Sequence, residues 1–537
     1  MHHPYPLEDS TMVRKSLLAG VALAAVASLA LTACGTTSAP QSATGTAGTT
    51  DTINAELWYA PSTFDPAKAS ADADVTVARL GFDTLLRQGE TEGYIGGLAT
   101  EWNAVSASEY TFTLRDGATC ADGTAITPTV VADSFTYLTG LDDSGALTWK
   151  NQAFGSGEPT FTPDDAAGTL TISLSQPYSQ LLGGVTRPGT GIICPAGLAD
   201  TEGLAAGTVD GAWSGPYMLS NLSAGVSAAY TLRDDYDAWP DWQDVEGEPA
   251  KTINLTVQSD SNTSANLLES GGVDLARFYD SNALRFEDDP AYTTVTFASS
   301  AYNLVFNEAP GSGSIFEGKE DLRAAVAQAI DTQGFNSAGL DGLGVPQYTV
   351  NAASYRCALD DESLVQKYDP AAATPELTGQ SIRLLMMSNW DPAADYLAES
   401  LRAAGATVTV SALDPADWSK AMRTEPATWD VAIAAENAGP GLIHTTIARY
   451  LGPTYADGGT NVSSSDNPEG VAYYEAAMAA SDTETQCENL LAAQKTILER
   501  VDMTPLITDT HRYVARSGFA TSVFSGYWDI SAMRILS

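Results

Sequence analysis

Between residues 381 and 435 the chain switches its hydrophobic period four times, and that alternation leaves few folds open. Ser381 to Met387 (SIRLLMM) is an apolar run of strand length. Asp391 offers an N-cap and Pro392 a first helical residue; Ala394, Leu397, Leu401 and Ala404 recur at helical spacing, and Gly405 offers a stop. Ala406 to Val410 reads as a second strand, Pro415 to Met422 as a second helix, and Trp429 to Ala434 as a third strand. Strand–helix–strand–helix–strand with such short connections predicts an α/β protein with a doubly wound parallel sheet. Sheets of this kind expose a ligand crevice beyond the carboxyl ends of their strands. Two loops leave those ends, Ser388-Asn389-Trp390-Asp391 and Ala435-Glu436-Asn437-Ala438-Gly439-Pro440. At this point ordinary connections are an equal alternative, with Trp390 as a cap on the sheet.

Upstream the pattern is different. Thr52 to Tyr59 reads as an opening strand, Tyr110, Phe112 and Leu114 alternate with threonines, and Leu170, Ile172 and Leu174 alternate again. From residue 320 helices return: Glu320-Asp321 stand before Leu322, Ala325, Val326, Ala329 and Ile330, with acids at the positive end of the helix. The length of 537 residues leaves room for several cores, and 44% hydrophobic residues suffice to fill them.

Charge excludes one class of partner. With 26 basic against 67 acidic residues the formal charge is -41. A nucleic-acid binder needs clustered lysine and arginine, so none is expected. An acidic surface also needs a separate device to hold it at an anionic membrane. The first segment supplies one. Val13-Arg14-Lys15 precede an unbroken apolar and small-residue run, Leu17 to Ala33, too short to be a comfortable membrane span and suited to a secretory signal over 1–33 that starts at Met12. The run ends Leu31-Thr32-Ala33-Cys34-Gly35, which resembles the bacterial lipobox, whose cysteine is lipidated on its thiol and becomes the mature N-terminus. A plain signal peptide with a chance cysteine is the alternative. Residues 34–51 are rich in Gly, Ser, Thr and Ala and read as a flexible tether.

Exported cysteines tend to pair. Cys120, Cys194, Cys357 and Cys487 allow two disulfides in three connectivities. Past the signal segment the only histidines are His444 and His511, and HExxH, GxSxG, Walker A and GxGxxG motifs are absent. Both histidines read as ordinary structural residues; no cofactor and no metal site is expected. A carboxylate-based hydrolase is not excluded by counting, but no spacing points to one.

Separated stretches resemble the extracellular solute-binding proteins of ABC importers, in the oligopeptide/dipeptide/nickel-binding family (family 5). Thr63-Phe64-Asp65-Pro66-Ala67 resembles that family's LDPA stretch, and Phe82 to Arg87 (FDTLLR) its YEGLLR helix. The most specific block is Leu98-Ala99-Thr100-Glu101-Trp102, Tyr110 to Gly117 (YTFTLRDG), Asp122-Gly123-Thr124, and Val130, Val131, Asp133, Ser134 and Phe135. Gly215-Pro216-Tyr217, Leu267 to Leu275 (LLESGGVDL), Leu304 to Asn307 with Leu322 to Asp331, and Val501 to Leu506 follow in the family's order.

The resemblance implies a two-lobed, periplasmic-binding-protein-like α/β fold, of the class with an extra subdomain in the large lobe and a ligand cleft between the lobes. The large lobe is expected over 52–300 plus 509–537, the small lobe over 301–508, and the hinge near 301–307 and 502–510. It implies a monomeric, non-enzymatic receptor, lipid-anchored at the outer face of the cell membrane. Such a receptor hands a short peptide to permease subunits served by a separate ATPase. Disulfides Cys120–Cys194 and Cys357–Cys487 would each stay within one lobe and leave the hinge free. In peptide-binding relatives an acidic residue near the end of a small-lobe strand holds the peptide's ammonium group. Glu436 takes that place here, one methylene longer than aspartate, with no second acid before Pro440. Further cleft candidates are Asn437, Asn389, Trp390, Tyr59 and Tyr279, while Phe278 is assigned to core. A metal chelate, a glycan or a peptide-like metabolite is the alternative cargo, and a cell-surface hydrolase the alternative class.

Overall fold

A computed structural model describes residues 50–89, 93–436, 443–524 and 527–537. Cys34 and Asn437 lie outside the described residues.

The 381–435 stretch folds as strand Ser381–Met387, helix Asp391–Ala403, strand Thr407–Leu413, helix Pro415–Thr424 and strand Val431–Glu436. The first of these strands pairs parallel with both others. The first helix begins at Asp391 itself, one residue ahead of expectation, with Trp390 in the cap position. It ends where Gly405 adopts φ 98°, a left-handed value that costs a residue without a Cβ little. Asp414 caps the second helix, accepting from the amides of Ala416 and Asp417, both at 3.0 Å. The third strand runs two residues further than expected, so Glu436 is its last residue rather than part of the loop beyond it.

Period-two burial then builds a sheet covered on both faces. Leu304, Phe306, Ile382, Leu384, Met386, Val431 and Ile433 share one core with the helices Glu320–Gln328 and Asp391–Ala403. Their neighbours Val305, Leu385, Ala432 and Ala434 point into another core, with Trp418, Met422, Leu490, Ala493 and Ile497. Strands apolar on both faces are what a doubly wound sheet demands.

Two long antiparallel strands, Tyr292–Phe306 and Met503–Arg516, extend this sheet. Its seven strands run in the order 275–278, 503–516, 292–306, 431–436, 381–387, 407–413, with 345–346 paired to 503–516. Register between the long strands shifts between Ala298/Ser300 and between Tyr302/Asn303.

Residues 52–257 form a strand-rich half around a separate large core that includes Ile53, Phe82, Tyr110, Phe135, Trp213 and Tyr230. One four-stranded sheet is 52–57, 252–257, 227–232, 217–223; another is 99–106, 109–114, 169–174, 159–164. The C-terminal tail returns to this half. Asp529 meets the buried Arg87 at 3.0 Å and Arg79 at 3.7 Å, and Phe519, Ile530 and Met533 join the same core. This arrangement corrects one expectation. The helix near Phe82–Arg87 is Asp72–Gly81, and Leu86–Gln88 is a short strand paired with Tyr94–Gly96. The guanidinium of Arg87 is drawn between Asp83 and Asp529, a partner 442 residues away that local pattern cannot reveal.

Cys120 bonds Cys194 across Cα atoms 6.0 Å apart, and Cys357 bonds Cys487 across 5.0 Å. The first bridge is buried in the strand-rich core and the second joins the core under helix Thr483–Glu499. Replacing both cysteines of either pair by serine should lower unfolding stability by about 2–5 kcal/mol. Urea titration reads this directly, and an unchanged midpoint would show that the bridge adds nothing.

Candidate functional site

The parallel strands 381–387, 407–413 and 431–436 deliver their carboxyl ends to one edge of the sheet. Asn389 and Trp390 sit there in the helical turn Ser388–Trp390. The Trp390 ring stands edge-on to Tyr302 at 5.3 Å and to Trp418 at 6.1 Å. Tyr302, Phe335, Leu340, Trp390 and Ala393 line a small apolar cavity of about 50 Å³ beside it. Trp390 thus caps the sheet and also walls a pocket.

Glu436 is buried at the end of its strand, with Oε1 2.9 Å from Nε of Arg449 and 3.3 Å from the Tyr450 hydroxyl, which donates to it. Burial pushes this carboxyl up, while Arg449 and Tyr450 oppose the shift. The pair is internally neutral, so an incoming ammonium would have to share the carboxylate with a resident guanidinium.

A second group of side chains gathers where the opening strand, the strand Leu275–Phe278 and the two long strands meet. Of the adjacent aromatics that follow the strand Thr52–Leu57, Trp58 packs inward and Tyr59 is 62% exposed. The Trp58 ring lies 4.4 Å from Tyr279 and 5.2 Å from His511. Phe297 meets His511 at 5.4 Å and stacks on Tyr513 at 5.5 Å. Arg277 lies 3.7 Å over the Trp58 ring and donates to both carboxylate oxygens of Asp72, at 2.8 and 3.2 Å. Its charge is therefore matched within the chain. Phe278 is fully buried in a small core with Phe286 and Val514.

Asp509 shares a face of strand 503–516 with His511, two residues on, as the period of a strand requires. Its Oδ2 lies 3.8 Å from His511 Nε2, and each side chain keeps 13% of its surface exposed. Burial raises the Asp509 carboxyl to about 7, opposed only by the Thr510 amide and Arg512. Burial and nearby Arg277 lower His511 to about 3. Near neutral pH the imidazole is uncharged, so the contact is not an ion pair. The Asp509 carboxyl also acts on Tyr302 across the strand pair. Trp58, Tyr279, Phe297, His511, Asp509, Tyr302 and Trp390 therefore form one half-buried track that crosses both long strands.

The two halves also touch elsewhere. Tyr178 OH donates to Gln152 O at 2.9 Å, so its oxygen accepts from His444 Nε2 at 3.0 Å. Ser179 bonds the backbone of Ala477 and Met478, and Gln486 donates to Ser179 O. Among the described residues no group of three or more His, Cys, Asp or Glu is arranged to hold a metal ion, and no helix is long and apolar enough to cross a membrane.

Tyr279 and Trp390 are thus brought to one track, Tyr59 stands beside it in solvent, and Glu436 lies at the strand end next to it. Sequence reasoning missed Trp58, Phe297, Tyr302, Asp509 and the role of His511. An aspartate and a histidine two apart, on one face of a strand, was the available signal.

A carboxyl raised to about 7 keeps its proton in the folded chain where the unfolded chain has lost it. The stability it contributes is full below pH ~4 and is lost as pH rises through about 7. Asp509→Asn should leave stability nearly unchanged near pH ~4 and raise it by about 2–4 kcal/mol above pH ~8. Denaturant titration at both values checks this, and an equal effect at both would contradict the raised carboxyl.

Residues 93–457 match the family described as bacterial extracellular solute-binding proteins, family 5 Middle. The fold superimposes with a TM-score of 0.73 on a substrate-binding protein from Microbacterium hydrocarbonoxydans solved with 4-hydroxybenzoate hydrazide. That protein is 36% identical, and the match covers 90% of this chain and all of the other. The chain is 27% identical over 410 residues to the Escherichia coli K12 protein named "Probable D,D-dipeptide-binding periplasmic protein DdpA", covering 71% of this chain and 73% of that one. It is also 29% identical over 241 residues to protein XP55 of Streptomyces lividans; that match covers 44% of this chain and 41% of XP55. With a family match over most of its length and a relative of known structure aligned from end to end, the chain belongs to the family 5 bacterial extracellular solute-binding proteins.

Proposed function

We propose that this protein is the substrate-binding receptor of an ABC importer and captures short peptides between two lobes. The observation that carries this reading is the half-buried aromatic track crossing the two long strands. An extended, amphipathic ligand matches such a surface: apolar walls take side chains, and a few polar groups set orientation. The name of the DdpA relative supports a peptide ligand. In this reading the large lobe is 52–300 plus 509–537, the small lobe is 301–508, and the long strands are the hinge. Tyr279 and Trp390 line the cleft from opposite lobes. Tyr59 and the Glu436–Arg449 pair form its rim, and Asn389 and Asn437 stay candidates for ligand contact from their sequence positions.

One specific observation favours a second cargo. The Microbacterium relative was solved with a small aromatic hydrazide, and the walls here are aromatic. Denaturing the protein purified from cells and weighing what it releases separates the two. Peptide masses are expected, bound unchanged and with no product formed. A released non-peptide solute would replace the peptide reading, and conversion of the bound solute to a product would replace the receptor reading with an enzyme.

The receptor is held at the outer face of the membrane through a lipid on Cys34, reaching its permease on the 34–51 tether. Protein taken from the membrane fraction should begin at a lipidated Cys34, and Cys34→Ala should be released from membranes. An intact mass with an unmodified Cys34 would remove the anchor from the proposal.

A further inference from the structure

The candidate cleft contains two carboxyl groups that differ in one respect. Glu436 has a resident cation, Arg449, at 2.9 Å. Among the described residues Asp509 has none: the nearest basic group is His511 Nε2 at 3.8 Å, which burial and the charge of Arg277 keep neutral. Arg277 cannot serve Asp509, since both its terminal nitrogens are engaged by Asp72 while its face lies on Trp58. The titratable and charged groups around Asp509 are few. On its own strand they are His511 and, further off, Arg512. From the neighbouring strand Tyr302 faces it, as a neutral phenol pushed further up by burial. Beyond His511 lie Arg277 and Asp72, already paired. Glu436, on the strand beyond 292–306, is held by Arg449. The opposite face of strand 503–516 presents Thr508 and Thr510 to Gln347 and the Leu343 carbonyl; the one charge there is Arg512, which donates to the Thr510 hydroxyl at 3.1 Å and lies 3.9 Å from Glu287.

A carboxyl only 13% exposed, beside a neutral imidazole and left without a cation, is a costly arrangement for a chain to keep. It is the arrangement required if the cation arrives with the ligand. An ammonium or guanidinium gives Asp509 a charge-assisted hydrogen bond. We propose that Asp509 is the specificity-determining group that reads a cationic centre of the ligand where the two long strands cross between the halves of the molecule. This rests on the receptor reading above. Asp509 must be ionised to do so, and binding then releases its proton to the solvent, so affinity rises with pH while the ligand keeps its charge.

Two pairs of probes test this by calorimetry: Phe-Ala against N-acetyl-Phe-Ala, and N-acetyl-Phe-Arg against N-acetyl-Phe-citrulline. In at least one pair the cationic member should bind wild type tenfold or more tighter than its neutral partner. Its affinity should rise roughly fivefold to tenfold between about pH 6 and pH 7.5, where a peptide ammonium is still mostly charged. Buffers of different ionisation enthalpy should report proton release by the unmodified protein, independent of any variant. Asp509→Asn should abolish both the preference and the pH slope. Equal affinity within both pairs overturns the proposal and leaves the receptor reading standing, as does an Asp509→Asn protein that keeps the slope. Failure of all four probes to bind overturns it together with the peptide reading.

Discussion

The antiparallel pairing of strands 292–306 and 503–516, which runs from Tyr292 opposite Arg516 to Val305 opposite Met503, is the interaction on which the rest of this structure depends. One end of the pair is tied to strand 275–278, and its residues pack with Ala265, Phe278 and Phe286. The other end is buried on both faces by the doubly wound helices. Among the described residues no other element runs so far through both regions. Strands 275–278, 345–346 and 431–436 flank the ladder elsewhere, so among the described residues the stretch with no third strand beside it, Phe297–Ser300 opposite Asp509–His511, is where bending is least opposed. The register shift between Ala298 and Ser300 lies in that stretch, and so do Asp509 and His511.

The cost of the site is visible against the treatment of other buried charges. Arg323 is fully engaged, by Glu308 at 2.7 Å, by Asp502 at 3.5 Å, and by the carbonyls of Val501, Arg500 and Phe316. Arg87 lies between Asp83 and Asp529. Arg233 reaches the carbonyls of Ser214, Gly215 and Cys120. These guanidiniums carry their compensation within the fold, as buried ions must. Asp509 does not, and local destabilisation of this kind is characteristic of binding sites.

How much of this was legible in the sequence follows from the range of the forces involved. The 381–435 pattern was readable because its period-two and helical positions, its stop at Gly405 and its connections are all local; the N-cap read at Asp391 falls one residue late, since Trp390 takes that position. The extension of the third strand to Glu436 was not readable, because the pairing of Glu436 with Ala301 depends on a strand 135 residues away. The same holds for Phe82–Arg87, where Asp529 decides the conformation of Arg87. Tyr59 and Trp58 are adjacent, and which one turns inward is decided by Tyr279 and His511. Asp509 looked like one acid among 67. Its desolvation exists only once two long strands and the opening strand are brought together. The family resemblance gave the family and the fold class, but not the side chains gathered around the long strands.

The central claim is that a ligand is held between two halves that move on this strand pair. Paired spin labels at Val105 and Tyr368, each more than half exposed, one in either half, report that motion directly. Pulsed dipolar spectroscopy should give a broad distance distribution for protein stripped of ligand. A narrower distribution with a displaced mean is expected once the material recovered from the native protein is added back. An identical distribution with that material demonstrably bound would contradict the account.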